Sequence, residues 1–162
     1  SNQFPEAMIE TLEPIKNGQN YHACLIQLEG RGVLISGRSG AGKTSLMLGL
    51  LEAAQQKNQS VNFVSDDQVI LTAENGKLIG SAPIAIAGKV EIFGFGILDV
   101  PNITNSQVDL LVYLEPDEAL ERLPDPMHSN LLDINVPCIS VPERHEQQAV
   151  RIVLAKLTSL FH

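Results

Sequence analysis

Val33 to Lys57 reads VLISGRSGAGKTSLMLGLLEAAQQK, and the order of residue types in it decides the fold class. The apolar run Val33-Leu34-Ile35 is stopped by glycine, and from Ser45 onward leucine, alanine, glutamate and glutamine favour a helix with a polar end at Lys57. The stretch is therefore strand, loop, helix. Gly37 to Thr44, GRSGAGKT, fits G-x-x-x-x-G-K-[ST] and lies between that strand and that helix, the context a phosphate-binding loop requires. Its glycines let backbone N–H groups turn inward around phosphate oxygens, and the helix N-terminus adds the positive end of its dipole. Gly37, Arg38, Ser39, Gly40, Ala41 and Gly42 are the expected cradle of a nucleoside triphosphate. Lys43 is expected to contact the β- and γ-phosphates, and Thr44 to offer its hydroxyl to Mg²⁺. A glycine-rich turn that only caps a helix is the plain alternative, and spacing and context argue against it.

Working outward, Tyr21 to Leu28 reads as a strand, and the short Glu29-Gly30-Arg31-Gly32 link suggests a hairpin to the strand before the loop. Beyond the helix come strand-like Val61–Val64, Val69–Thr72 and Leu78-Ile79, with Glu74-Asn75-Gly76 as a turn between the last two. Val108–Leu114 and Pro137–Val141 read as further strands. From Glu143 on, Ala149, Ile152, Val153, Leu157 and Leu160 recur at helical steps, a stripe expected to pack on the sheet. The predicted class is α/β: a mixed sheet carrying a phosphate-binding loop, a helix after that loop and a C-terminal helix. The loop around Leu123-Pro124-Asp125-Pro126 is too short for a domain linker, so residues 1–162 are expected to form one domain with residues 1–20 peripheral.

The 162 residues, 44% of them hydrophobic, suffice for the core of one domain. Nineteen acidic against eleven basic residues give a formal charge of -8, which disfavours nucleic acid and anionic membranes as partners. The sequence has no apolar run long enough to span a bilayer and no basic-then-apolar N-terminus. Cys24 and Cys138 lie in apolar stretches, where cysteine serves as a small buried hydrophobe. A reducing cytoplasm is the expected compartment.

Asp66 and Asp67 end the Val61–Val64 strand, where an open α/β sheet keeps its ligand. One could bind magnesium and the other take a proton, but an alternating strand sends adjacent side chains to opposite faces. At most one is then the base, unless the strand has ended. An exposed acidic turn is the competing reading. Glu91, in the apolar, glycine-punctuated KVEIFGFG, must be exposed or paired with a cation. By itself His22 reads as an ordinary surface or core histidine, and Arg122 and Arg144 as solvated surface charges, although an arginine near a transferred phosphoryl group is also chemically useful.

In their order, the His22-bearing strand, GRSGAGKTS, FVSDDQVIL, GKVEIFGFGILDV, ERL at Glu121–Leu123 and VPCISVPERHEQQAVRIVLAKL resemble successive segments of HPr kinase/phosphorylase, over about Tyr21 to Phe161. The chain is similar to the short form without the separate N-terminal domain. The resemblance implies a cytoplasmic protein kinase that uses Mg²⁺ and ATP to phosphorylate a serine of an HPr-type phosphocarrier, assembled as a hexamer. It implies Asp67 as proton acceptor with Asp66 in support. It also implies Glu91 with Thr44 around magnesium, and His22, Lys43 and Arg122 completing the phosphate site. Two departures stand out: Phe93 occupies the place of a family arginine, and in ERHEQQ, a stretch associated with dephosphorylation, only Arg144 survives while Gln147 replaces a second arginine. Attack by inorganic phosphate brings one more anion into the site, so the loss of cations should weaken that direction most.

Overall fold

In the computed structural model residues 14–15, 18–116 and 127–161 are described. Arg122 and the loop Leu123–Pro126 lie outside them. In chain order the strands are β1 (Pro14–Ile15), β2 (Gly18–Leu28), β3 (Arg31–Ser36), β4 (Val61–Ser65), β5 (Gln68–Glu74), β6 (Lys77–Ser81), β7 (Lys89–Ile92), β8 (Gly96–Asp99), β9 (Asn105–Gln107), β10 (Leu110–Glu115), β11 (Met127–Leu131) and β12 (Ile134–Pro142). The helices are α1 (Lys43–Gln56) and α2 (Glu146–Phe161).

A ten-stranded sheet runs β11-β12-β10-β3-β2-β5-β6-β9, with β1 and β4 also paired to β2, while β7 and β8 form a separate two-stranded ribbon. Strands β3, β10 and β12 are parallel neighbours and the remaining pairings are antiparallel, so the sheet is mixed as the sequence indicates. The hairpin between β2 and β3 forms where the short glycine-containing link predicts it.

The apolar runs of the central strands are uninterrupted because both faces of the sheet are buried. Along β2 and β3, Cys24, Ile26, Val33 and Ile35 join Leu46, Met47 and Leu50 of α1 and Ala149 and Val153 of α2 in one cluster. The alternate residues Ala23, Leu25 and Leu34 point into a second cluster with Val69, Leu71, Leu78 and Val136. The α2 stripe therefore meets β12 and also α1. Gly49 permits that approach: a Cβ there would lie 2.7 Å from Glu146 Oε2 and 3.2 Å from Val150 Cγ2. Its cost in helix propensity, about 1 kcal/mol against alanine, is offset by close helix packing. Both cysteines are buried and free. Among the described residues no helix is long and apolar enough to cross a membrane.

Candidate functional site

The phosphate loop leaves β3 at the C-terminal ends of the three parallel strands, the side on which open α/β sheets hold ligands. Gly40 and Gly42 have φ of 81° and 99°, and a Cβ at either would meet nothing within 4 Å. Their need for glycine is thus the left-handed backbone itself, not crowding. Gly42 caps α1, so the helix dipole opens onto the loop. The Lys43 side chain is buried, and its Nζ donates to the carbonyls of Gly37 at 2.9 Å and Arg38 at 3.2 Å. Burial pulls its pKa below the usual lysine range, against the field of nearby Asp67 and Asp66.

The two adjacent aspartates are settled by the register of β2. Leu25 faces Ser65 and His22 faces Gln68, with two residues between these pairs on each strand, so β4 and β5 are one kinked strand against β2. Asp66 and Asp67 then fall opposite Cys24 and Ala23, whose amide donates to Asp67 O at 3.0 Å. Regular alternation would send Asp67 to the Ala23 face, away from His22, which shares the Cys24 face. It does not, because Asp67 has a φ of 73° and the Gln68 N–H donates to Asp66 O at 2.9 Å across it, a γ-turn. Strand alternation ends for one residue, and both carboxylates serve the same side. A non-glycine residue held at this φ is strained, and such residues cluster where geometry serves a function.

Asp66 is buried and uses both carboxylate oxygens. Oδ1 accepts from Thr44 Oγ1 at 2.9 Å and from the Cys24 thiol at 3.1 Å, and Oδ2 from the Glu91 amide at 3.2 Å. Burial, then the Asp66 charge, push the Cys24 pKa far up, so it stays a thiol donor. Asp66 is thus tied to Thr44 and Cys24. Asp67 is exposed and sits 3.2 Å from His22 Nε2. Burial and the Lys43 charge lower the His22 pKa below an ordinary histidine, Asp67 and Asp66 opposing, which favours the neutral ring at neutral pH. His22 lies well inside β2, which begins at Gly18 and not at Tyr21.

Glu91 on β7 is exposed, which resolves the cost of a carboxylate in an apolar stretch. It lines a cleft of about 650 Å³ with Thr44, Ser45, Leu48 and the ribbon tip Phe93–Gly96. Among the described residues no cluster of three or more His, Cys, Asp or Glu forms a closed metal cage. The donors present, a threonine hydroxyl held by one carboxylate and a second carboxylate in the same cleft, fit Mg²⁺, which keeps waters and binds through few protein oxygens together with substrate phosphates. A second cavity of about 310 Å³ between Leu28, Arg31, Lys57, Leu157 and Phe161 shares no residue with this site.

Arg144 is exposed with a φ of 59°, and Gln147 is exposed. Between them and the loop lies a residue that sequence reasoning passed over: Glu143, buried, which receives Arg38 Nε at 2.9 Å and Nη2 at 2.7 Å. Cys24 was read only as a small hydrophobe, and its bond to Asp66 was also missed. Neither contact has a local sequence signal, since the partners lie 105 and 42 residues apart.

The model of the HPr serine kinase C-terminal domain matches residues 14–160. The HPr kinase/phosphorylase of Lactiplantibacillus plantarum is 32% identical over 149 residues, 85% of this chain and 45% of that protein. That of Clostridium tetani is 30% identical over 96% of this chain and 53% of the relative. The chain therefore spans about half the length of these curated relatives. The solved Hpr(Ser) kinase/phosphatase of Coxiella burnetii superposes with a TM-score of 0.74 at 29% identity, covering 89% of this chain and 99% of that one.

Proposed function

This chain belongs to the family of the HPr serine kinase C-terminal domain, and from that premise we propose that it transfers the γ-phosphoryl group of ATP to a serine of an HPr-type phosphocarrier. The observation that carries the reading is the kink at Asp67: a strained aspartate, held beside His22, stands next to a second aspartate bonded to the phosphate loop. In the proposed reaction Asp67 takes the serine proton while the serine Oγ–P bond forms and the bond from the γ-phosphorus to the β,γ-bridging oxygen breaks, releasing ADP. The neutral His22 ring, through Nε2–H, holds the Asp67 carboxylate in place. The loop amides and Lys43 hold the β- and γ-phosphates, with Arg38, Ser39 and Ala41 in the cradle and Arg122 as a further phosphate cation. Magnesium, held by Thr44 with Asp66 and Glu91, would neutralise charge on the phosphates as the group moves.

Dephosphorylation by inorganic phosphate is proposed to be weak. Phe93 and Gln147 stand where cations would offset the repulsion of two anions, leaving Arg144 alone in its segment. One catalytic domain over residues 1–162, a homohexameric assembly and a cytoplasmic location complete the reading, the last two carried by family likeness. Incubation with γ-labelled ATP, Mg²⁺ and an HPr-type carrier tests it. Label is expected on carrier serine; label on a small metabolite would mark a metabolite kinase, and label nowhere a non-catalytic nucleotide-binding protein.

A further inference from the structure

The cradle of the phosphate loop includes one ion pair whose acidic partner has no part in the reaction just described. Arg38, the second residue of the phosphate loop, reaches across to Glu143, the first residue after β12, and makes two parallel N–H···O bonds to its carboxylate. The two ends differ in exposure: the Arg38 side chain is 59% exposed and that of Glu143 only 5%. A carboxylate this buried is costly unless paired and hydrogen-bonded, so the fold has reason to hold Arg38 in one place. Glu143 is itself anchored, because its amide donates to Glu115 O, the last residue of β10, at 2.8 Å. The loop follows β3, Glu115 ends β10 and Glu143 follows β12. The pair therefore ties together the C-terminal ends of the three parallel strands that frame the phosphate site.

Arg38 also works through its backbone. Its carbonyl accepts from Ala41 N at 3.1 Å and from Lys43 Nζ at 3.2 Å, so a shift of Arg38 alters the curl of the loop and the seat of the lysine together. Glu143 is close enough to Lys43 for its charge to act on the ammonium. We propose that Arg38 and Glu143 form a clasp of positioning residues that fixes the phosphate loop against the turn bearing Arg144, and so sets the affinity of the loop for a nucleoside triphosphate. The proposal rests on the phosphate-loop reading above and adds a residue, Glu143, that would touch no substrate. The fork needs the planar guanidinium: a lysine at position 38 supplies charge but not two parallel donors.

The test measures the Kd of a fluorescent ATP analogue with Mg²⁺, alongside thermal melting and the KM and kcat of carrier phosphorylation. Four variants of the full chain are compared: Arg38→Met, Arg38→Lys, Glu143→Gln and the double Arg38→Met/Glu143→Gln. Glu143→Gln keeps size and shape, and binding is read well below each variant's melting temperature. The Kd is expected to rise about tenfold in Arg38→Met and Glu143→Gln, the size of a lost charge-assisted bond, and less in Arg38→Lys. The double variant should be no weaker than the worse single one, because one interaction is lost only once. The KM for nucleotide should rise by a larger factor than kcat falls. A wild-type Kd in both single variants, even with lowered melting temperatures, would overturn the clasp and leave a merely structural ion pair. Additive losses in the double variant would overturn it as well. Lys43→Ala separates the two layers: if it abolishes analogue binding while the clasp variants bind normally, only the clasp fails. If Lys43→Ala binds like the parent, the phosphate-loop reading fails and takes the clasp with it.

Discussion

The site has two walls of opposite character. Its floor, behind the Thr44 side of the cleft, is made of polar groups sunk into the protein: Lys43, next to Thr44 in the chain, at 7% exposure and Asp66, bonded to Thr44, at 4%. The facing β7–β8 ribbon holds large apolar side chains in the open, Phe93 at 93%, Phe95 at 72% and Ile97 at 65%. A folding chain left to minimise free energy would arrange these the other way round. The floor is positioned by the fold at a cost in desolvation and strain, whereas the ribbon tip contributes little to stability. Substitutions in the floor should therefore move activity and stability separately, and those at the tip should leave stability almost untouched.

The sharpest break in this comparison is at Asp67. Asp67→Asn, Asp67→Ala and Asp67→Gly are each expected to lower the rate of carrier phosphorylation by about 10²–10⁴-fold, the usual contribution of a general base. Glycine accepts a φ of 73° freely and alanine does not. Asp67→Gly should then be more stable than Asp67→Ala by about 1 kcal/mol, read by urea unfolding. Equal stabilities would mean that the kink carries no strain, and an active Asp67→Asn would remove the base.

Lys43→Met gives the next effect. Nucleotide binding should be lost while the melting temperature holds or rises, because a buried ammonium is exchanged for an apolar chain of similar length. The pH dependence has a definite sign. Burial lowers the pKa of Lys43 in the folded state, so the unfolded chain binds more protons between that lowered value and the ordinary 10.5. The contribution of this group to stability therefore rises with pH across that window and is lost as pH falls through it. Parent minus Lys43→Met stability, followed by urea titration from neutral to alkaline pH, should increase; a flat difference would show that the floor carries no desolvation cost.

The smallest effect is expected at the ribbon. Phe93→Ser with Phe95→Ser should change unfolding free energy by no more than about 0.5 kcal/mol, since exposed side chains away from special backbone sites contribute little. A loss as large as that of a core substitution would show that these rings are buried in the working protein, and the contrast between the walls would be gone.

The strand, loop and helix around GRSGAGKT were legible because their signals are local: an apolar run, glycines at fixed spacing, and helix-forming residues after Thr44. The central strands were legible for a related reason, since burial on both faces leaves an unbroken apolar run that any window of sequence reveals. The sequence alone determined the class of fold, the strand–loop–helix that carries the G-x-x-x-x-G-K-[ST] motif and the candidacy of two adjacent aspartates. It could not decide where each of those aspartates points, because period-two alternation sends neighbours to opposite faces unless the strand has ended. That decision belonged to tertiary structure. Strand β2 holds β4 and β5 in one register, a single left-handed residue rotates Asp67 to His22, and Asp66 is left against Thr44 and Cys24. The same holds for Arg38 and Glu143, which meet only because parallel pairing brings the ends of β3, β10 and β12 side by side. Local chemistry is written along the chain, but which charges face one another depends on register and chain crossing, and these are fixed only when the whole sheet is assembled.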